Sequence, residues 1–437
     1  MAGTRLAPED ERQHASAHPA PPVRGSVTAV QGTALYIGAV LGTGVLTLPG
    51  YAARLAGPAS LVAWVGMVAL SIPLAITFAA LGSRLPDSGG VSTYVRQAFG
   101  RRPAAVVGWW FYIGAPVGVP ALAIFGGSYL SALIHGNQDA TALYAALLLG
   151  IGLFSNAFGV RVSGRVQLFL SGGLALMLVV AVLVAAPHAR LDTMQPFAPH
   201  GWSAVGSAAA LLVWCFTGWE TMTHLAGEFA RPERDIKRAT TGALVLIGVL
   251  YLLLATTTVL VLGGSEEAAE TPLASLLTYG FGSAGPALAT LVAVLVTLGT
   301  INAYVGSTAK LGAALARDGA LPRYLAPGAE TGGVPRRSLF VVSLVSGAAL
   351  ALATRAGVGV EVLMLGCTAC LIAVYVVGTA AGIRLLRDGG GGARLMAGLA
   401  LVMLICVLGL TGWFLLWPAF LAVVAAVFTH FHRNREA

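Results

Sequence analysis

Charged side chains are scarce in this sequence. Of its 437 residues only 10% are Asp, Glu, Lys or Arg, whereas soluble domains carry about 25%. In their place 57% of the residues are hydrophobic, and the mean hydropathy is +0.81. A water-exposed globule cannot hide so much apolar surface. The composition therefore excludes a soluble protein and indicates one that uses lipid as its solvent.

Motifs typical of enzymes and of ATP-driven machines are also missing. There is no G-x-x-x-x-G-K-[ST] loop, no H-E-x-x-H and no G-x-S-x-G. The chain is therefore predicted to be no enzyme, to need no cofactor or metal, and not to use ATP directly. Four cysteines lie in apolar runs, and we expect Cys367 and Cys370 to serve helix packing. The net charge of +8 does not indicate nucleic-acid binding, because the basic residues lie between apolar runs rather than on one face.

Apolar runs of membrane-crossing length recur along the chain. A helix needs roughly 20 apolar residues to cross the hydrocarbon core, and the runs predict an all-α protein with about twelve transmembrane helices. The predicted spans are 27–53, 59–81, 104–133, 142–160, 166–186, 204–229, 239–262, 286–316, 338–354, 360–386, 395–410 and 413–431. The polar stretch 1–26 lacks a signal-peptide pattern and is predicted to be a disordered cytoplasmic tail.

Basic side chains are distributed unequally between the loops. On this span map 23 of the 26 lysines and arginines fall on one side, and the other side holds Arg54, Arg190 and Arg355. Loops rich in Lys and Arg stay in the cytoplasm. The sequence therefore predicts an even number of spans with both termini cytoplasmic.

Two predicted spans contain residues that weaken a helix. The first span holds Gly42 and Gly44, and the sixth holds Gly218 beside Glu220. These positions lie five spans apart, which fits a five-plus-five inverted repeat with discontinuous helices 1 and 6. The repeats would be 27–186 and 204–386, with a periplasmic loop at 187–203 and two extra helices in 387–437. The alternative is that these glycines serve helix packing, as many do in membranes.

An interrupted helix leaves backbone groups that need partners. The N-terminal helix end near 42–44 carries positive partial charge and suits a carboxylate. The carbonyl ends near 39–40 and 215–216 suit an ammonium, so an amino-acid zwitterion meets both requirements. The candidate substrate-binding residues are Ala39, Gly42, Thr43, Gly44, Tyr112, Trp214, Cys215, Phe216, Thr217, Gly218 and Asn302.

Four short motifs resemble the amino acid–polyamine–organocation superfamily of transporters. They are G-T-G-V-L at 42–46, F-T-G-W-E at 216–220, E-F-A-R-P-E-R-D-I-K-R-A at 228–239 and A-R-D-G-A-L-P at 316–322. Together with L-G-T-G-V at 41–45, S-G-G-V at 88–91, P-V-G at 116–118 and W-C-F at 214–216, they look most like the bacterial exporters of L-methionine and branched-chain amino acids. The resemblance implies the inverted-repeat fold in the bacterial inner membrane and alternating access to a neutral amino acid.

The resemblance also implies roles for single residues. Gly42, Thr43 and Gly44 match the segment whose backbone binds the substrate carboxylate, Trp214 matches a gating aromatic, and Glu220 matches an acid of the sixth span. Proton-coupled relatives carry a lysine in the fifth span, but 166–186 has none, so coupling through that lysine is excluded.

Several alternatives stay open at this point. Glu220 is either a protonatable gating or coupling acid or a structural acid that binds backbone N–H groups freed by the helix break. Asn302 either donates to substrate or joins two helices, and His224 with Glu228 is expected to form an interfacial ion pair. The alternative functions are a proton-coupled importer or an amino acid/amine antiporter of the same fold. A coupling proton and the choice between monomer and homodimer are left open.

Overall fold

The computed structural model describes residues 27–85, 90–158, 164–220, 223, 226, 229–264, 270–329, 333–387 and 391–433. The predictions for the tail 1–26, for the motif residues 88–89 and for the pair His224 and Glu228 lie outside these residues. Within them the chain is all-helical, and the nearest approach to a sheet is an isolated parallel bridge between Val27 and Phe229.

Fifteen α-helices are formed by the described residues. They are α1 (Ala29–Val40), α2 (Gly44–Ala56), α3 (Ser60–Arg84), α4 (Val91–Phe99), α5 (Arg101–Leu133), α6 (Gln138–Ala157), α7 (Gly164–Ala185), α8 (Ser203–Leu212), α9 (Pro232–Leu262), α10 (Pro272–Phe281), α11 (Gly285–Arg317), α12 (Arg336–Arg355), α13 (Val360–Leu385), α14 (Gly391–Leu410) and α15 (Leu416–Arg433).

Ten helical stretches of the described chain are long and apolar enough to cross a membrane. They cover the predicted spans other than the first and the sixth. There the structure instead has the shorter apolar helices Ala29–Val40 and Ser203–Phe216. A multi-pass membrane protein is therefore confirmed, and the irregular stretches fall in the two spans that hold the glycine signals.

Some helix boundaries differ from the prediction. The helix of the seventh span begins at Pro232 rather than at 239, because a proline in the first turn and acidic Glu233 and Asp235 favour a helix start. α4 and α10 were not predicted, because each is too short to cross a membrane.

The helix α5 lies at the centre of the bundle and is mostly buried. Its Pro120 has no N–H, so the Pro116 carbonyl cannot receive the usual helical hydrogen bond. Ser346 of α12 supplies the missing donor, with its Oγ 2.9 Å from that oxygen. On another face Gly114 and Gly118 of α5 accommodate side chains of α13.

The start of α1 is fixed against the segment that leads into α9. The Ala230 N–H donates to the Val27 carbonyl at 3.0 Å. The Thr33 hydroxyl oxygen lies 3.0 Å from the Ala29 carbonyl oxygen of its own helix and 3.3 Å from the Ala239 carbonyl oxygen of α9. One turn further, the hydroxyls of Tyr36 and Thr240 are 3.0 Å apart. These contacts hold the first half of the broken span beside α9.

Candidate functional site

The first predicted span is interrupted in the structure. α1 ends at Val40 and α2 begins at Gly44, which leaves Leu41, Gly42 and Thr43 between two separate helices. Glycine lowers the stability of a helix interior by about 1 kcal/mol relative to alanine. The break leaves carbonyl groups at the end of α1 and N–H groups at the start of α2 without helical partners.

A second interruption follows α8. One 3₁₀ turn, Val213–Phe216, comes after this helix, and the chain is then irregular through Thr217 and Gly218. Gly218 has φ of +113°, a conformation that side chains with a β-carbon rarely adopt. A methyl carbon at this position would also lie 2.8 Å from the Ala39 carbonyl oxygen. The two interruptions are therefore in direct contact, and a glycine is needed where they meet.

Tyr251 of α9 joins the carbonyl ends of both interruptions. Its hydroxyl oxygen is 2.8 Å from the Val40 carbonyl oxygen and 2.8 Å from the Cys215 carbonyl oxygen. The hydroxyl has one proton and so donates to one carbonyl at a time. Its ring packs against Trp64 and Phe216, with centroids 5.2 and 5.0 Å away. Tyr251 thereby holds the two C-terminal helix ends at one point.

Glu220 lies behind the second interruption. It is buried, and its Oε2 accepts a hydrogen bond of 3.0 Å from the Gly218 N–H. The Tyr375 hydroxyl of α13 donates to the same oxygen and lies 3.1 Å from the Gly218 nitrogen. This arrangement matches the structural alternative, in which the acid binds a freed backbone N–H. A role in gating or coupling stays a prediction.

A cavity lies between the two interruptions and the helices α5, α11 and α13. Seven predicted site residues line it, namely Ala39, Gly42, Thr43, Gly44, Trp214, Cys215 and Thr217. No charged side chain of the described residues lines it. The space open to the centres of water molecules is about 30 Å³, which is room for one or two waters. A larger solute requires part of the wall to move.

The α2 side of the cavity has the chemistry of an anion site. Thr43 precedes the first residue of α2 and its hydroxyl makes no capping bond. Among the described residues that buried oxygen has no hydrogen-bond partner. The N-terminus of a helix carries about half a positive charge. A hydroxyl donor and free N–H groups at such an end suit a carboxylate.

Four predicted site residues lie away from the cavity wall. Asn302 Oδ1 accepts hydrogen bonds from Asn156 Nδ2 at 2.7 Å and from Ser155 Oγ at 3.0 Å, so this side chain joins α11 to α6. Tyr112 receives a hydrogen bond of 3.1 Å from Ser338 Oγ. The other two, Phe216 and Gly218, are the ring partner of Tyr251 and the contact point with α1.

Eight wall residues were not anticipated from the sequence. They are Val40, Ala115, Val119, Leu122, Thr300, Tyr304, Cys367 and Leu371. Most are aliphatic or small and belong to helices without an interruption, so in the sequence they are indistinguishable from ordinary packing residues. Tyr304 differs, because it is an aromatic residue with a polar hydroxyl group.

Membrane-length helices packed around a small internal cavity define the class of the protein, which is a multi-pass membrane protein. Comparison with known proteins agrees with this class. The chain matches the family model described as amino acid permease over residues 28–437. It belongs to the amino acid permease family, and is thus a membrane-embedded amino acid transporter.

Individual relatives refine the comparison. The chain is 35% identical to the uncharacterized amino acid permease YecA of Bacillus subtilis over 92% of this chain and 95% of the relative. It is 31% identical to the L-methionine/branched-chain amino acid exporter YjeH of Escherichia coli over 88% and 91% of the two chains. Identity to the serine/threonine exchanger SteT of Bacillus subtilis is 25% over 66% and 67%. The named relatives are transporters rather than enzymes.

Proposed function

We propose that this chain is a secondary active transporter that exports neutral amino acids, among them L-methionine, leucine, isoleucine and valine, by alternating access. The substrate carboxylate binds at the start of α2, and the ammonium binds at the carbonyl ends joined by Tyr251. The side chain extends between α5 and α13. Trp214 acts as a gate, and Glu220 acts as the gating or coupling acid.

One observation carries this proposal. The cavity wall includes a helix N-terminus with the Thr43 hydroxyl and residues of two helix C-termini, and no charged side chain of the described residues lines it. Opposite partial charges suit a zwitterion. A cationic or anionic substrate side chain would need a buried counter-charge, so a neutral amino acid fits best.

Relatives support the choice of substrate and direction. The similarity to an L-methionine and branched-chain amino acid exporter favours export of those amino acids. The weaker similarity to an exchanger supports amino acid exchange as the second candidate. A proton remains the candidate for a coupling ion.

The same proposal includes a membrane topology. It comprises twelve spans, with 27–186 and 204–386 as inverted repeats, two further helices in 387–437 and both termini cytoplasmic in the bacterial inner membrane. Support comes from the ten membrane-length stretches and the two short apolar helices that flank the interruptions.

Counterflow in proteoliposomes tests the function. Vesicles loaded with one unlabelled amino acid are assayed for uptake of a panel of labelled ones, with empty vesicles as the control. We expect accumulation of methionine, leucine, isoleucine and valine, and none of arginine or glutamate. Failure of all four neutral substrates, while another solute accumulates, would contradict the assignment.

Gly44 tests the carboxylate position. A methyl carbon there would lie 2.9 Å from both Cys215 Sγ and Trp214 Cδ1, so Gly44→Val should abolish substrate binding. Gly150→Val is the matched control, because no atom lies within 4 Å of the corresponding position in α6. Normal substrate affinity in the Gly44 variant would contradict the site.

A further inference from the structure

The Trp214 indole lies in the cavity wall between two glycines on different helices. At one end, a methyl carbon on Gly44 of α2 would lie 2.9 Å from Trp214 Cδ1. At the other end, a methyl carbon on Gly118 of α5 would lie 2.7 Å from Trp214 Cη2. The five-membered ring is therefore close to α2, and the edge of the six-membered ring is close to α5.

Cys367 of α13 completes the contact at the α5 end. The same methyl carbon on Gly118 would lie 2.7 Å from Cys367 Sγ and 2.8 Å from its Cβ. Carbon atoms attract one another at about 3.5–4.0 Å and repel at shorter range. The edge of the indole and the Cys367 side chain thus occupy neighbouring space that exists because residue 118 has no β-carbon. We call the pair Gly118 and Cys367 the indole seat.

Two of the three residues that meet at the indole seat also line the cavity. Trp214 and Cys367 are both part of the wall, together with Ala115, Val119 and Leu371. An atom added at residue 118 would have to displace the indole edge or the thiol, both of which form part of the cavity wall, and removing the Cys367 sulfur would give the indole more room. The seat therefore acts on the apolar part of the cavity wall, where α5 and α13 meet.

We propose that Gly118 and Cys367 determine the size of substrate side chain that the transporter accepts, by setting how far the Trp214 indole withdraws between α5 and α13. This inference rests on the proposed transport of neutral amino acids and adds two specificity-determining residues. Less space for the indole at Gly118 and Cys367 favours substrates with small side chains such as that of valine. More space there admits bulky side chains such as that of phenylalanine.

Two substitutions change the seat in opposite directions. Gly118→Ala adds one carbon, and Cys367→Ala removes one sulfur. In an apolar pocket one methylene group changes discrimination by about 10- to 200-fold. With Gly118→Ala, we expect the half-inhibitory concentration of methionine relative to that of valine to rise about tenfold or more. With Cys367→Ala, we expect the half-inhibitory concentration of phenylalanine relative to that of valine to fall by a similar factor.

The measurement is competition by unlabelled valine, methionine and phenylalanine against a labelled substrate of the unchanged protein in proteoliposomes. Gly114→Ala is the matched control. Its new carbon would lie 2.6 Å from Cys370 Cβ, so it crowds the same pair of helices at residues that do not line the cavity. We expect both ratios of the control to stay within about twofold of those of the unchanged protein, which is well below the effect of one methylene group.

Each outcome has a defined meaning. Opposite shifts in the two variants, with an unchanged control, support the seat as the size determinant. Equal ratios in all variants, or the same shift in the Gly114 control, overturn it. If Gly118→Ala gives no monodisperse protein on size-exclusion chromatography, the Cys367→Ala ratio decides alone. If the unchanged protein transports none of the neutral amino acids, the proposed function fails. If it transports them but both ratios of half-inhibitory concentrations are the same in every variant, only the role of the indole seat is refuted.

Discussion

Replacing Tyr251 with phenylalanine removes one hydroxyl from the point where the two interrupted helices meet. The ring and its contacts with Trp64 and Phe216 remain, so the change isolates the hydrogen bond. That hydroxyl lies 2.8 Å from the carbonyl oxygens of both Val40 and Cys215. Loss of the donor leaves a buried acceptor unsatisfied, at a cost of about 1–3 kcal/mol.

This cost applies to the conformation in which the two carbonyl ends lie together. An energy of about 1–3 kcal/mol corresponds to a 5- to 150-fold change in an equilibrium. If the substrate ammonium binds to these ends, Tyr251→Phe should raise the KM for methionine by about fivefold or more, with a smaller effect on maximal rate. The thermal midpoint of the detergent-solubilised protein should also fall.

Tyr129→Phe provides the comparison. The Tyr129 hydroxyl donates to the Leu46 carbonyl of α2 at 2.6 Å, and this side chain does not line the cavity. We expect the Tyr129 variant to lose thermal stability while the KM for methionine stays unchanged. An unaltered KM in Tyr251→Phe, or equal KM changes in the two variants, would refute the reasoning.

Three further predictions concern single contacts. Gly218→Ala forces a side chain into φ of +113° and should lower the free energy of unfolding by about 1–3 kcal/mol. The control Gly282→Ala, at φ of +53° with no neighbour within 4 Å, should lower it less, and equal thermal midpoints of the two variants would contradict this. Ser346→Ala leaves the Pro116 carbonyl without its donor and should lower stability by about 1–3 kcal/mol without changing substrate preference, as thermal unfolding and the competition assay can check. Glu220→Gln should lower counterflow or abolish its pH response, and transport identical to the unchanged protein at every pH would exclude Glu220 from the mechanism.

Sequence patterns located the helix interruptions because those patterns are local. Two glycines around Thr43 and a glycine beside Glu220 are visible in any window of ten residues, and each lowers the stability of a continuous helix. The long apolar spans were predictable for the same reason. The charged first turns of α9 were not predictable, because a hydropathy criterion stops at charged residues such as Lys237 and Arg238, although the helix continues through them.

Contacts between distant helices could not be predicted in this way. Tyr251 lies in an apolar span and has no local signature, yet its hydroxyl reaches two carbonyls that are 211 and 36 residues away. The cysteine pair at 367 and 370 was expected to pack against a neighbouring helix, but only the structure identifies Gly118 and Gly114 as its neighbours. Asn302 was conspicuous in the sequence, but its role was not, because a polar residue in a membrane span can bind either a ligand or another helix.

The bridge between Val27 and Phe229 has a practical consequence for where the chain can be shortened. Thr28 and Gln31 close the start of α1 with a reciprocal cap, and the Val27 carbonyl accepts the Ala230 N–H immediately before that cap. A deletion that stops at residue 26 keeps the cap and the bridge, whereas one that continues to residue 30 removes the bridge and Thr28. The second deletion would detach the leading turn of the first span from the segment ahead of α9, so fusion partners and affinity tags belong upstream of Val27.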